Sequence, residues 1–262
     1  MRSLVTGCPK KRKEFLGKEF DTITSGKCVI VEYINSTNVT VLFRNPEVEV
    51  KCRMGHLRSG YVRNPLIPFV CNKGFVGLGK FDPAIDKCAY VLWRTMLQRV
   101  YSEKHLTRKP SYLYVTVCDE WYNFQNFAGW CETQKFFNAK DDNGKTYQLD
   151  KDILAKDSKV YSPETCCFVP SEINNQFVLR QKARGKYPIG VSYNKSRNKF
   201  ESQITRYGKG TTLGMFGTPE EAFYCYKEAR EGYIKEVAEK WKDRIDERVY
   251  QVLLNYEVRI DD

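Results

Sequence analysis

The chain has 262 residues, of which 42% are hydrophobic and 14% aromatic, and its formal net charge is +11. This composition indicates a folded chain with apolar cores, either one large domain or two to three smaller ones. No stretch approaches the roughly 18 consecutive apolar residues of a membrane span. Because the first residues also lack the apolar region of a secretory signal, we expect a cytoplasmic protein with no membrane partner.

The ten cysteines indicate small buried side chains rather than a zinc site. Only Cys166 and Cys167 lie close together, and no C-x-x-C pair is present. A zinc ribbon needs two such pairs to hold its metal. The chain has only two histidines, His56 and His105, which limits any mechanism that depends on imidazole.

Residues 1–80 are predicted to form a small antiparallel β module. Within Lys27–Phe43, two β-branched runs flank Asn35–Asn38, which is the pattern of a hairpin. A third run follows at Val48–Cys52 and a fourth at Tyr61–Val62. The module could close into a barrel, and two roles stay open for it: a scaffold or a second contact to nucleic acid.

Residues 81–179 change to helical periodicity and form the second predicted domain. Apolar side chains at helical spacing predict a helix over Ala84–Tyr101, and Tyr112–Val117 follows as a short strand. The aromatic residues of Asp119–Cys131 recur every three positions, which favours a buried helix face over a base-stacking platform. The remainder, Leu149–Asn175, is loop-rich.

Residues 180–262 are predicted to form a three-stranded sheet followed by a long helix. The predicted strands are Tyr187–Tyr193, Asn198–Arg206 and Thr212–Phe216. Thr218 is a helix N-cap, because Pro219 follows it and Glu221 completes a capping box. With the N-terminal module and the central core, this pattern predicts an α+β protein.

Positive charge is concentrated on this sheet. Between Arg180 and Gly210 there are nine Lys or Arg residues and one acid, Glu201. Because side chains alternate along a strand, Lys199, Glu201 and Gln203 share one face. A basic, folded β face with donors and one acceptor suits the backbone and base edges of duplex DNA, whereas Thr218–Asp262 is net acidic.

The same region resembles the DNA-binding domain of the plant ethylene-response-factor (APETALA) family. The resemblance rests on YPIGVSY, KFESQI, LGMF and TPEEAFYCYKEA and covers roughly Gly185–Lys235. Phe200 replaces the family's tryptophan, and Met215 replaces the threonine of its LGTF motif. The resemblance and the charge pattern together predict a DNA interface. Its residues would be Lys182, Arg184, Lys186, Tyr187, Ser192, Lys195, Arg197, Lys199, Glu201, Gln203, Arg206 and Lys209.

The central segment is similar to bacteriophage HNH-type (ββα-metal) homing endonucleases. The similar motifs are WRTMLQRVY at Trp93–Tyr101, VTVCDEWYNFQNF at Val115–Phe127, LDKDI at Leu149–Ile153 and YSPETC at Tyr161–Cys166. That family commonly joins such a core to an APETALA-like domain. The resemblance implies a DNA endonuclease in a phage-infected bacterial cell.

An HNH site needs a histidine that activates water and ligands that hold one divalent cation. The resemblance places Lys151 at the histidine position and Asn174 at the final asparagine. Asp150 and Asp152 would be ligands for Mg²⁺ or Mn²⁺. A lysine is protonated at neutral pH unless buried, so Lys151 would weaken hydrolysis.

Other interpretations of these residues stay open. Asp150 and Asp152 could cap a loop while Lys151 is merely exposed, or His105 could substitute as the base. Two functions therefore remain, beside an RNA-binding module, which the aromatic content would permit. One is a metal-dependent homing endonuclease, and the other is a non-catalytic DNA-binding regulator or anti-host factor that uses the nuclease-like core as a scaffold. Both have duplex DNA as partner, and neither predicts an obligate protein partner.

Overall fold

The computed structural model describes residues 13–156, 158–176 and 186–260. It contains both helices and strands, which confirms the predicted α+β class. The chain divides into two compact units, Met1–Gly129 and Trp130–Asp262. The division into domains at 1–80, 81–179 and 180–262 stays a prediction. In the described ranges, no helix combines the length and the apolar character that crossing a membrane would require.

The first unit begins with a four-stranded antiparallel sheet in the order β1-β2-β3-β4. Its strands are β1 (Glu19–Thr22), β2 (Gly26–Asn35), β3 (Asn38–Arg44) and β4 (Glu47–Cys52). Because β1 and β4 are the two edges, the sheet is an open meander rather than a closed barrel. The fourth strand of the sheet is β1, which precedes the hairpin, and Tyr61 and Val62 are not in a strand. The prediction of a fourth strand at Tyr61–Val62 was therefore wrong.

The core of this sheet also holds a short helix, α1 (Met54–Arg58). Met54 and Leu57 of α1 are buried with Ile30, Val41 and Phe43 of the strands. Helical spacing of three residues places both apolar side chains of α1 on one face. The polar residues of α1 therefore face away from this core.

After an irregular stretch at residues 59–86, the first unit contains two helices and the beginning of a third. They are α2 (Lys87–Tyr101), α3 (Glu103–Arg108) and α4 (Phe124–Thr133), with short 3-10 turns at Pro110–Tyr112 and Asp119–Tyr122 and a two-residue strand, β5 (Thr116–Val117). Trp93, Trp121, Phe124 and Phe127 are fully buried, and the Trp93 indole donates to the Trp121 carbonyl at 2.7 Å. The aromatic residues are therefore core, as predicted.

In the second unit, short strands precede the C-terminal sheet. They are β6 (Gln148–Asp150), β7 (Val160–Tyr161) and β8 (Cys167–Val169), followed by α5 (Ser171–Asn174). Strands β6 and β8 pair antiparallel, with Asp150 opposite Cys167. The chain ends with β9 (Val191–Asn194), β10 (Lys199–Arg206), β11 (Lys209–Phe216), α6 (Pro219–Trp241) and α7 (Glu247–Leu254).

Helix α6 begins as its sequence predicts. The Thr218 hydroxyl accepts from the Glu221 amide at 3.2 Å, and the Glu221 carboxylate accepts from the Thr218 amide at the same distance. The apolar stripe of α6 is buried and packs against β10 and β11. The strand predicted at Tyr187–Tyr193 begins only at Val191. Gly190, just before it, has a left-handed φ of +77° and lies close to the Tyr226 ring.

Candidate nucleic-acid interface

The three-stranded sheet β11-β10-β9 has one buried and one open face. On β10, Ser202 and Ile204 are buried beneath the sheet, whereas Lys199, Gln203 and Thr205 are exposed. This alternation is the one that the sequence predicts. Residues directly opposite in an antiparallel pair share a face, so the register adds residues of β9 and β11 to the open face. The open face consists of Ser192, Asn194, Lys199, Glu201, Gln203, Thr205, Gly210, Thr212 and Met215, of which only Met215 has an apolar side chain.

Glu201 lies at the centre of the open face and is held by neighbouring donors. Its carboxylate accepts from the Thr212 hydroxyl at 2.7 Å and from the Asn194 amide at 3.5 Å. The hydrogen bond from Thr212, with a further one from the Gln203 side chain, lowers the pKa of Glu201 below its ordinary value. The face thus presents one ionised acceptor whose position is fixed by side chains on all three strands.

Asn194 and Thr212 were not among the predicted site residues. Neither residue stands out in the sequence. Each contacts Glu201 because it lies on a strand adjacent to β10, diagonally across from Glu201. Thr212 lies opposite Gln203 after a bulge between Ser202 and Gln203, and Asn194 lies opposite Lys199 in the regular pairing of β9 with β10. Cross-strand pairing was therefore the missing signal.

The cations of the interface lie at the ends of the strands. Lys195 and Arg197 occupy the turn between β9 and β10, and Lys209 follows the turn between β10 and β11. Asn194 shapes the first turn, because its side-chain oxygen accepts from the Ser196 hydroxyl at 2.8 Å and the Arg197 amide at 3.2 Å. All three cations are exposed, as are Lys186 and Lys199.

Arg206 is a correction to the predicted interface. Its guanidinium donates to the Ala229 carbonyl of α6 at 2.9 Å and lies 3.8 Å from the Glu236 carboxylate. The side chain has the same parity as Ser202 and Ile204, so it points to the helix side of the sheet. Arg206 thus fastens α6 to β10 and is removed from the open face.

Tyr187, another predicted interface residue, is not part of the open face. Tyr187 is half-buried and packs edge-on against Phe200 at 5.2 Å, within an aromatic cluster that includes Tyr193. Its role is therefore to support the sheet. Lys182 and Arg184 lie outside the described residues.

The predicted catalytic loop follows β6, and its side chains are engaged in local contacts. One oxygen of Asp150 accepts from the backbone amides of Asp152 at 2.7 Å and Ile153 at 2.9 Å, which closes the loop. Asp150 is therefore a loop cap, one of the two interpretations left open by the sequence. Asn174 donates to the side chain of Gln148 on the same strand as Asp150.

Lys151 is buried, contrary to the interpretation that it is merely exposed. Only 7% of its side chain is exposed. Its ammonium donates to the Asp152 carboxylate and to the Ser158 carbonyl, the latter at 3.1 Å, and lies 5.9 Å from the Tyr161 ring centre. An ammonium that donates to two acceptors cannot take a proton from water, so Lys151 is a poor substitute for histidine.

These residues do not fit a divalent cation. A hard cation needs several convergent oxygen ligands, but one oxygen of Asp150 is engaged by backbone amides and one of Asp152 by Lys151, which leaves at most one oxygen on each. Over the described ranges, no group of three or more His, Cys, Asp or Glu side chains could hold a metal ion. His105 belongs to the first unit, where its ring packs edge-on against Tyr112 and its Nε2 atom is buried without a hydrogen bond.

Asp150→Asn should stabilise the protein near neutral pH. Burial raises the pKa of the Asp150 carboxyl, so the folded state binds a proton more readily than the unfolded state. Stability contributed by this group is then greatest below the ordinary aspartate pKa of about 3.9 and falls as pH rises through the raised value. Asparagine keeps a side-chain oxygen that can accept from the backbone amides of Asp152 and Ile153, but it carries no charge.

The test is thermal unfolding of both proteins across pH. The advantage of Asp150→Asn should shrink as pH falls through the raised pKa and be lost below about 4, where wild-type Asp150 is protonated in both states. Asp243→Asn is the control, since that side chain is exposed. A variant that is less stable than wild type at neutral pH would contradict the burial effect.

Comparisons of the chain with protein-family models, with curated proteins and with solved structures found no match in any of the three.

Proposed function

We propose that the protein binds duplex DNA by placing the open face of β9–β11 in the major groove. The observation that carries this proposal is a polar, solvent-exposed sheet face with a fixed acceptor at its centre and Lys195, Arg197, Lys199 and Lys209 around it. Three strands at about 4.8 Å spacing are about 10 Å across, close to the roughly 12 Å width of the major groove.

The residues divide into two roles in this proposal. Lysine and arginine side chains at the strand ends contact phosphates, which supplies affinity without sequence preference. Gln203 faces base edges, where a glutamine pairs with adenine, and Glu201 accepts from cytosine. Because Glu201 is already oriented by Thr212, it loses little side-chain freedom on binding.

Competition between nucleic acids tests the proposal. A labelled duplex should be displaced by unlabelled duplex DNA at lower concentration than by single-stranded DNA or double-stranded RNA of equal length. The narrow, deep major groove of A-form RNA does not admit a sheet. If double-stranded RNA or a single strand competes as well as duplex DNA, the open face does not enter a major groove.

We further propose that the protein belongs with the HNH-type homing endonucleases in ancestry and uses the nuclease-like segment as a scaffold. The commitments of Asp150 and Lys151 to contacts within their own loop support this role. This favours a non-catalytic DNA-binding regulator over a metal-dependent endonuclease, since losing a general base typically costs ~10²–10⁴ in rate.

Supercoiled plasmid should stay intact with stoichiometric protein and Mg²⁺ or Mn²⁺, and the gel should match a sample with chelator. Lys151→His should not create cleavage, because a histidine there still lacks the convergent ligands of a metal site. Chelator-sensitive nicking by wild type that Asp152→Asn abolishes would instead establish the endonuclease.

A further inference from the structure

The first unit is more strongly basic than the second. Met1–Gly129 contains twenty Lys or Arg and eleven Asp or Glu, a formal +9, whereas Trp130–Asp262 has a formal +2. Within it, Val50–Phe81 has six Lys or Arg, one histidine and no acid. The basic sheet of the second unit therefore accounts for only part of the positive charge.

Much of this acid-free charge surrounds α1. Met54 and Leu57 face the apolar core, so α1 and its flanking residues turn their cationic side chains to solvent. Tyr61 is 68% exposed among them. We name this the α1 surface, and it consists of Lys51, Arg53, His56, Arg58, Tyr61 and Arg63.

The segment that carries the α1 surface is held rigidly from beneath. Asn64 is buried, and its side chain donates to the Pro46 carbonyl at 2.8 Å and accepts from the Leu66 amide at 2.9 Å. The Gly60 carbonyl accepts from the Ile23 amide at 2.9 Å, and the Tyr61 amide donates to His56. The cations therefore project from a fixed backbone, which reduces the ordering needed when a partner binds.

Lys51 of the α1 surface shares its sheet face with Glu49 and, across Thr40, with Glu32, so the uncompensated charge lies on the arginines. No carboxylate within the described ranges forms an ion pair with Arg53, Arg58 or Arg63. By contrast, Lys18 and Lys27 of the same unit lie 3.8 and 4.0 Å from Glu14 and Glu19. Uncompensated guanidinium groups favour a phosphate-bearing partner, because each can donate to two oxygens at once.

We propose that the α1 surface is a second contact to the DNA backbone, with Arg53, Arg58 and Arg63 on phosphates and Tyr61 against the sugar-phosphate edge. This inference rests on the proposed function and adds a sequence-independent site to it. An anionic lipid surface or an acidic protein would attract the same cations, so the experiment separates these partners.

Three exposed tyrosines allow a matched photocrosslinking test in the full-length protein. Tyr61 lies on the α1 surface, Tyr207 lies in the turn beside Lys209, and Tyr224 lies on the acidic C-terminal helix. Their exposures are similar, at 68%, 61% and 64%. Each would be replaced in turn by benzoylphenylalanine and irradiated with a labelled duplex.

We expect crosslinks from positions 61 and 207 and none from position 224. A crosslink at 207 without one at 61 overturns the second contact and leaves the proposed function standing. A crosslink at 61 without one at 207 keeps the second contact and overturns the sheet as the main interface. Equal crosslinking at 224 would show that DNA contacts the acidic helix as readily as the α1 surface, which would overturn the second contact.

Charge removal gives an independent measurement. Arg53→Ala/Arg58→Ala/Arg63→Ala should reduce the slope of log affinity against log salt by about 2.7, at roughly 0.9 per phosphate contact. The control is Lys18→Ala/Lys27→Ala/Arg44→Ala, which removes three cations of the same module. Thermal unfolding verifies that each variant folds.

Equal slopes for the two triple variants would overturn the proposal. So would an unchanged DNA slope combined with lost cosedimentation with phosphatidylserine vesicles, which would assign the α1 surface to lipid. The expected result is a change in DNA binding that is specific to the arginine triple.

Discussion

Replacement of Lys195, Arg197 and Lys199 with alanine should reduce the salt dependence of duplex binding by about 2.7 in slope, at roughly 0.9 per phosphate contact. All three side chains are exposed at the end of the open face formed by β9 and β10. Each neutralised phosphate releases condensed counterions, so the slope of log affinity against log salt is proportional to the number of phosphates that the protein contacts. Fluorescence anisotropy with a labelled duplex at four or more salt concentrations measures it.

The matched control is Lys235→Ala/Lys240→Ala/Lys242→Ala. These three lysines are also exposed, but they lie in the net acidic C-terminal segment. The control lowers the net charge of the protein by the same amount, so a purely global charge effect would change both slopes equally. An unchanged slope in the first variant would reject the sheet as the interface.

Trp241→Ala should destabilise the second unit by about 3–5 kcal/mol, the usual cost of removing a buried tryptophan side chain. Trp241 is 2% exposed. Its ring meets the Tyr147 ring at 6.2 Å and lies beneath the Arg244 guanidinium at 4.5 Å. Its indole nitrogen donates to Glu172 at 2.9 Å, and Lys240 donates to the same oxygen at 2.7 Å.

Urea unfolding followed by circular dichroism measures this loss. Trp241→Phe keeps most of the ring volume and removes the hydrogen bond to Glu172, so it should cost less than the alanine variant, about 1–2 kcal/mol. Tyr224→Ala is an exposed control with little expected effect. A cost below about 1 kcal/mol for Trp241→Ala would mean that Tyr147 and Arg244 close the cavity.

The sequence alone predicted those features whose cause is local. The α6 capping box depends on Thr218, Pro219 and Glu221, which are neighbours in the chain, and it forms as expected. The buried aromatic residues and the two faces of β10 follow from periods of about three and two residues. The N-terminal hairpin was predicted for the same reason, whereas the extra strand was misplaced because Val62 packs in the core without a strand partner.

The candidate sites were only partly predictable. The cations of the open face could be found from charge density, but Arg206 could not be separated from them. Its contact with Ala229 depends on how α6 packs against the sheet. The α1 surface was also missed as a charge cluster, because its four Lys and Arg residues are separated by apolar positions and share one exposed side only through the packing of α1 on the core.

The composition, charge and short-range periodicity of the sequence by themselves determined an α+β protein with a capped helix and a basic, alternating sheet. Only the tertiary structure decided that Asp150 closes its own loop, that Lys151 is buried, and that Asn194 and Thr212 hold Glu201. The physical reason is the range of the interactions: caps and alternation depend on a few consecutive residues, whereas burial and cross-strand hydrogen bonds depend on which distant segments the fold brings together.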